Sequence, residues 1–260
     1  MKLTWYGNAA VKVVMGNTTM MFDPFVTRNE ALPVLAGDDF AEAERILITH
    51  GHFDHTADIP RFAKETGLKI LVHPNSVNML RKHGSYKDEQ LVPTAFGDAV
   101  TGGDITATAL AARHISFDLP LISQTIGNLF SSKLERKGSR LFSMIGEHMG
   151  HPMGACIAWR LDDGEQTLLH LGSLALDPGQ EYPTGVDVLS IPLQGNSRIH
   201  DIAFEVIAKL QPKAVYIHHF DNAFPPLSQQ VPTAPVVERM AKELPDIPVI
   251  VPEYRKPVTF

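Results

Sequence analysis

Cysteine is nearly missing from this sequence: Cys156 is the one thiol in 260 residues. A single cysteine excludes an intramolecular disulfide framework, a cysteine-based zinc finger and an iron–sulfur cluster. Basic charge is also in short supply. The 23 lysines and arginines are outnumbered by 29 aspartates and glutamates, for a formal net charge of −6, so nucleic acid is not expected as a partner. No stretch of about 18 apolar residues occurs, and no membrane span is expected. The opening Met1-Lys2-Leu3-Thr4-Trp5-Tyr6-Gly7 holds one lysine and no continuous apolar segment. No secretory leader is expected, and the expected location is cytoplasmic. With 44% apolar residues the chain is too hydrophobic to stay disordered. Twelve histidines face the single cysteine, so any metal chemistry must use imidazole and carboxylate.

The early sequence reads as strands. Leu3–Tyr6, Ala10–Met15 and Thr18–Phe22 are short apolar runs separated by the turn pairs Gly7-Asn8 and Gly16-Asn17. Arg45–Thr49 is a continuously apolar strand, hence expected to be buried. Strands are also predicted at Lys69–Val72, Ile105–Ala111, Ala155–Leu161, Thr167–Leu171, Val186–Ile191, Ala214–Ile217 and Pro248–Val251. Helices are predicted at Asp58–Thr66, with Pro60 in a first turn, and at Ser76–Lys82, Ile199–Leu210 and Val236–Leu244. From Asp118 to Gly150 the pattern changes: Ile122, Ile126, Leu129, Phe130 and Leu134 fall at helical spacing, followed by a basic turn at Arg136–Arg140. Strands in runs, then alternating with helices, and no linker or repeat, suit one domain with a sheet-on-sheet core and helices outside.

The sharpest motif is His50-Gly51-His52-Phe53-Asp54-His55. Four possible metal ligands lie within six residues, directly after a buried strand. A tight loop at a strand end can turn several side chains to one point, and Gly51 relaxes the backbone there. Imidazole with carboxylate suits zinc, and also manganese or iron. His114 and His219 each follow a predicted strand and would complete a set of strand-end ligands.

These motifs resemble the metallo-β-lactamase fold superfamily, whose signature matches His50-x-His52-x-Asp54-His55. Leu3-Thr4-Trp5-Tyr6-Gly7-Asn8-Ala9, then Phe22-Asp23-Pro24, is similar to the start of the branch that holds the L-ascorbate-6-phosphate lactonase type. Ala112-Arg113-His114 and His218-His219-Phe220-Asp221-Asn222-Ala223-Phe224-Pro225-Pro226 resemble later motifs of that branch. The resemblance implies an α+β fold, a four-layer αββα sandwich, as a single domain over residues 1–260 with a helical insert at 118–150. It implies two divalent metal ions, zinc first and manganese or iron as alternatives. His50, His52 and His114 would hold one; Asp54, His55 and His219 would hold the other. Asp54-His55, in place of the acidic substitutions of diiron members, favours hydrolysis over electron transfer.

The sequence departs from the family at three places. His170-Leu171-Gly172-Ser173 matches a His-x-Gly-Asp pattern, so Ser173 stands where a bridging aspartate is usual. Three readings stay open: a weak second metal site, a bridge by water or substrate oxygen alone, or another carboxylate such as Asp177 reaching in. Asn8 stands where many relatives have histidine, as a substrate contact or only a turn residue. The insert is either a lid over the metals or a packing element. His170 is read as orienting a ligand or contacting substrate, and His218 as pointing away from the site. His73, His83 and His200 are read as surface or structural, whereas His148 and His151 are placed near the site.

The expected function is a metal-dependent hydrolase. Metal-activated water, near pKa ~7, would attack an ester, lactone or phosphodiester, with Asp54 orienting it and accepting its proton. The partner is a small-molecule substrate, and homo-oligomerisation is left open. The alternative, motivated by Ser173, is a non-hydrolytic metal- or ligand-binding protein. A nucleic-acid-processing member is disfavoured by the charge balance.

Overall fold

A computed structural model describes residues 1–87, 89–129, 150–225 and 227–260. The early turn pairs set its first features. Gly7, Asn8 and Gly16 take φ values of 93°, 47° and 55°, the left-handed region that glycine and asparagine tolerate best. These turns join β1 (Lys2–Trp5), β2 (Val11–Met15) and β3 (Thr18–Phe22) into an antiparallel meander. The chain then adds β4 (Arg45–Leu47), β5 (Lys69–Val72) and β6 (Leu91–Pro93) in parallel. The crossovers run through α1 (Phe53–Thr56), α2 (Ile59–Thr66) and α3 (Pro74–His83).

The second sheet is built from β7 (Ala99–Gly102), β8 (Ile105–Arg113), β9 (Cys156–Asp162), β10 (Thr167–Leu171), β11 (Ala175–Leu176), β12 (Val188–Pro192), β13 (Val215–His218) and β14 (Val249–Ile250). Its β8–β9–β10 part is antiparallel, and its β10–β12–β13–β14 part is parallel. The helices α4 (Leu119–Leu129), α5 (Ile199–Leu210) and α6 (Ala234–Glu243) lie between its strands in sequence. The last strand, β15 (Pro257–Thr259), returns to pair with β1. Among the described residues the orders are β15-β1-β2-β3-β4-β5-β6 and β11-β8-β9-β10-β12-β13-β14, with β7 on β8.

Period-two alternation explains the layers. Val11, Val13, Met15, Met20 and Phe22 share one core with Trp159, Leu169 and Leu189 of the second sheet. The alternate residues Met21, Ile46, Ile70 and Val72 pack instead with Phe62, Met79 and Leu80 of α2 and α3. Such strands are buried on both faces, which is why they read as continuous apolar runs. On the other side, α5 buries Ile199, Ala203, Val206, Ile207 and Leu210, one stripe at helical spacing, and packs beside Val236 and Met240 of α6. The result is the αββα sandwich of one domain that the resemblance implied.

β6, β7, β11 and β15 were not predicted. Each is two to four residues long and partly exposed. Their pairing comes from neighbouring strands, not from an apolar pattern of their own. Within the predicted insert, α4 is present. The rest of that reading, including the basic turn at 136–140 and His148, lies outside the described residues.

Candidate metal centre

Four loops deliver the site, each leaving the C-terminal end of a strand: His50–His55 after β4, His114 after β8, Ser173 after β10 and His219 after β13. The first loop is fixed by close backbone approach. The Gly51 amide donates to the Met153 carbonyl at 2.7 Å, and a Cβ at position 51 would lie 2.3 Å from the Pro152 carbonyl oxygen. Glycine is therefore needed for space, not for the backbone relaxation expected from the sequence. The one-turn α1 follows and turns Asp54 and His55 inward, both buried.

The six predicted ligands come together as two triads. In each of His50/His52/His114 and Asp54/His55/His219, ligand-type atoms lie within 4.8 Å of one another. The His50 and His114 ring centroids are 5.1 Å apart. Asp54 Oδ2 is 3.1 Å from His219 Nε2 and 3.6 Å from His55 Nε2, and the His50 and His55 rings, 3.9 Å apart, join the two triads.

Surrounding acceptors set which ring nitrogens face inward. Thr49 Oγ1 donates to Asp23 Oδ2 at 2.6 Å. Its hydrogen being used, its 3.0 Å contact with His50 Nδ1 has the imidazole as donor. His55 Nδ1 donates to Asp23 Oδ2 at 2.8 Å, and His114 Nδ1 to the Ile115 carbonyl at 2.7 Å. With Nδ1 engaged in each, His50, His55 and His114 turn Nε2 inward. His52 Nδ1 lies 3.2 Å from the His50 Nε2 lone pair. Converging lone pairs, a carboxylate and a carboxylate–histidine support are the donor chemistry of a divalent cation site.

Electrostatics favour the neutral imidazole at His50 and His114 and the ionised carboxylate at Asp54. Burial, reinforced by the neighbouring His55, His52 and His114, holds the His50 pKa well below its ordinary value. Burial also lowers His114. For His55, burial pulls the pKa down, but the Asp54 and Asp23 carboxylates outweigh it and the pKa is raised. Burial alone would raise Asp54; His55 and His219 prevail and hold it well below the carboxylate range. Cys156 takes no part, its thiol pushed up to about 12 by burial.

The sequence departures fall into place geometrically. Ser173 lines the site cavity and accepts the Ile115 amide at 2.9 Å, steadying the turn after His114. Asp177 does not reach in; it accepts Arg113 Nε at 2.8 Å. Two residues expected to touch substrate do not line the cavity. Asn8 donates through Nδ2 to the Asp54 carbonyl at 2.7 Å, and its own carbonyl accepts the His219 amide at 2.8 Å. It is a brace between two ligand loops. His170 lies behind the site, stacked between Phe22 and His218 and bonded to Ser190. His218 points away from the triads, as strand alternation predicts. His151 meets Thr56 and stacks on His83, whereas His200, read as structural, lines the cavity.

Sequence reasoning missed Asp23 and Asp221 as site residues. Asp23 has φ 39° and supports Thr49 and His55; Asp221 accepts the Asn8 amide at 3.0 and 3.1 Å. Both sit inside the quoted motifs, which was the available signal.

The model of the beta-lactamase superfamily domain matches residues 18–220. The chain belongs to this superfamily. A UPF0173 metal-dependent hydrolase of Brucella anthropi is 36% identical over 134 residues, 49% of this chain and 54% of that protein. The match thus spans about half the length of that relative. Another protein of that name, from Anaeromyxobacter dehalogenans, is 28% identical over 236 residues, covering 87% of this chain and 77% of its own. Among solved structures, Igni18, a metallo hydrolase from Ignicoccus hospitalis, shares the fold with TM-score 0.67 at 19% identity, over 100% of this chain and 97% of that one.

Proposed function

We propose that the chain is a metal-dependent hydrolase acting on an ester, lactone or phosphodiester. The carrying observation is that two ligand triads meet at one cavity of about 500 Å³. His50, His52 and His114 would hold one divalent ion, and Asp54, His55 and His219 a second, with zinc the first candidate and manganese or iron the alternatives. Such ions, when bound, supply a water of lowered pKa and polarise the bond under attack. Asp54 stays ionised, so its carboxylate can accept a hydrogen bond from the attacking water and orient it. Asp23 keeps His55 and, through Thr49, His50 in the ligating tautomer. The relatives named metal-dependent hydrolases support this reading, and the lactonase-type motifs support a carboxylic substrate. The test is metal content after reconstitution, followed by turnover of a panel of small esters, lactones and phosphodiesters. Absence of turnover across that panel with zinc or manganese fully loaded overturns it.

Ser173 favours a second reading, a metal- or ligand-binding protein without hydrolysis. A neutral hydroxyl engaged with the Ile115 amide brings no bridging charge. Turnover that emerges only in Ser173→Asp would decide for this reading.

A further inference from the structure

The cavity over the two triads has a floor and walls of opposite character. The candidate ligands form the floor. The walls include Phe117, Leu121, Ile122, Phe224, Leu227 and Val231. The Phe117 ring stands 5.4 Å from His114 and the Phe224 ring 5.0 Å from Phe53, beside the ligand loop. The apolar wall therefore begins at the ligands and runs outward, and Phe117 and Ile122 are 50% and 42% exposed at its rim. Among the described lining residues, polar groups beyond the floor are neutral amides, hydroxyls and His200, with no lysine or arginine. Gln194, one of the amides, has a buried Oε1 with no hydrogen-bond partner.

Against the described walls a second anionic group of the substrate would lose its hydration without a charge-assisted partner among them. A hydrocarbon arm would gain from burial there. The volume of about 500 Å³ sits within the roughly 300–1,000 Å³ of small-molecule sites. From this geometry we infer that the substrate is an uncharged carboxylic ester or lactone with a hydrocarbon arm along the Phe117–Ile122–Leu227 wall, and not one that carries a second anionic group, such as a phosphorylated sugar. Gln194 Oε1 is available to a hydroxyl or amide hydrogen of that substrate. The inference narrows the hydrolase reading above and rests on it.

The test uses the full metal-loaded chain and p-nitrophenyl esters from acetate to octanoate, with bis(p-nitrophenyl) phosphate beside them. Each added methylene is expected to raise kcat/KM about fourfold until the wall is covered, and the phosphodiester to be at least ~100-fold poorer than the best ester. In Phe117→Ser and Leu227→Gln the chain-length slope should flatten. Calorimetric binding of acetate, hexanoate and octanoate supplies a readout independent of turnover, and tightening with length is expected. Phosphodiester preference, or binding and turnover blind to chain length, overturns the substrate class and leaves the hydrolase reading standing. Length-dependent binding without turnover of any ester, lactone or phosphodiester upholds the apolar-arm site and overturns the hydrolase reading.

Discussion

Replacing Asp23 by asparagine tests whether the centre depends on a carboxylate outside both triads. The backbone at Asp23 is left-handed, φ 39°, a conformation that asparagine adopts readily, so the substitution isolates charge and hydrogen bonding. Asp23 Oδ1 accepts the Thr49 amide at 2.8 Å; Oδ2 accepts Thr49 Oγ1 at 2.6 Å and His55 Nδ1 at 2.8 Å. An asparagine has one acceptor oxygen for these three donors. If it stays on the Thr49 amide, the new NH₂ faces His55 Nδ1, which must accept and shift its hydrogen to Nε2, the nitrogen directed at Asp54 and His219. If the amide flips, NH₂ confronts the Thr49 amide hydrogen, at a cost of about 1–3 kcal/mol for a buried unpaired donor. Loss of a supporting partner of this kind weakens metal affinity about 10–100-fold, or about 1.4–2.7 kcal/mol. The Asp54/His55/His219 site should bear most of the loss, and the His50 site less, being one bond further through Thr49. Zinc competition against a chromophoric chelator at pH 7.5 measures both, and urea unfolding of metal-free protein checks the fold. Zinc affinity within twofold of the parent at both sites would refute the reasoning.

Three further outcomes follow from the same geometry. In Gly172→Ala the new Cβ would stand 2.0 Å from Thr49 Oγ1; about 1–3 kcal/mol of stability should be lost, seen as a lower urea midpoint, with weaker metal binding because Thr49 leaves Asp23. Ser173→Asp should tighten the weaker metal site by on the order of tenfold by adding ligand charge, read by calorimetric titration; unchanged affinity would place the new carboxylate out of reach of both triads. His170 is held by burial at a pKa of about 4, against 6.5 for the ordinary side chain. Between those values the unfolded chain binds the extra proton, so stability falls as pH drops, by about 3 kcal/mol over the window. Urea unfolding of the parent and His170→Phe at pH 7.5, 5.5 and 4.5 checks this; the variant, which cannot take up that proton, should lose less stability on acidification.

What the sequence conveyed follows from where its signals are local. Strands with at least one fully buried face announce themselves as short, largely apolar runs, and Val11–Met15, Thr18–Phe22 and Thr167–Leu171 were bounded to within a residue. The stripe at 199, 203, 206, 207 and 210 fixes α5 in the same way. His50–His55 was legible as a candidate ligand loop because four possible ligands share six residues. His114 and His219 were legible only beside that cluster, as further histidines at strand ends, since one histidine at a strand end is ordinary. The supporting groups were hidden for a different reason. Asp23 precedes a proline like many turn aspartates, and nothing nearby in sequence tells that its oxygens meet Thr49 and His55, 26 and 32 residues on. Asn8 was similarly ambiguous: its turn role and its brace role are one, because the left-handed turn at Asn8 presents its carbonyl to the His219 amide, and His219 is itself left-handed at φ 52°. Two strained turns, 211 residues apart in sequence, thus hold each other. Ligand identity is written locally, but the tautomer and aim of each ligand are set by long-range contacts that only the packed sheets bring about.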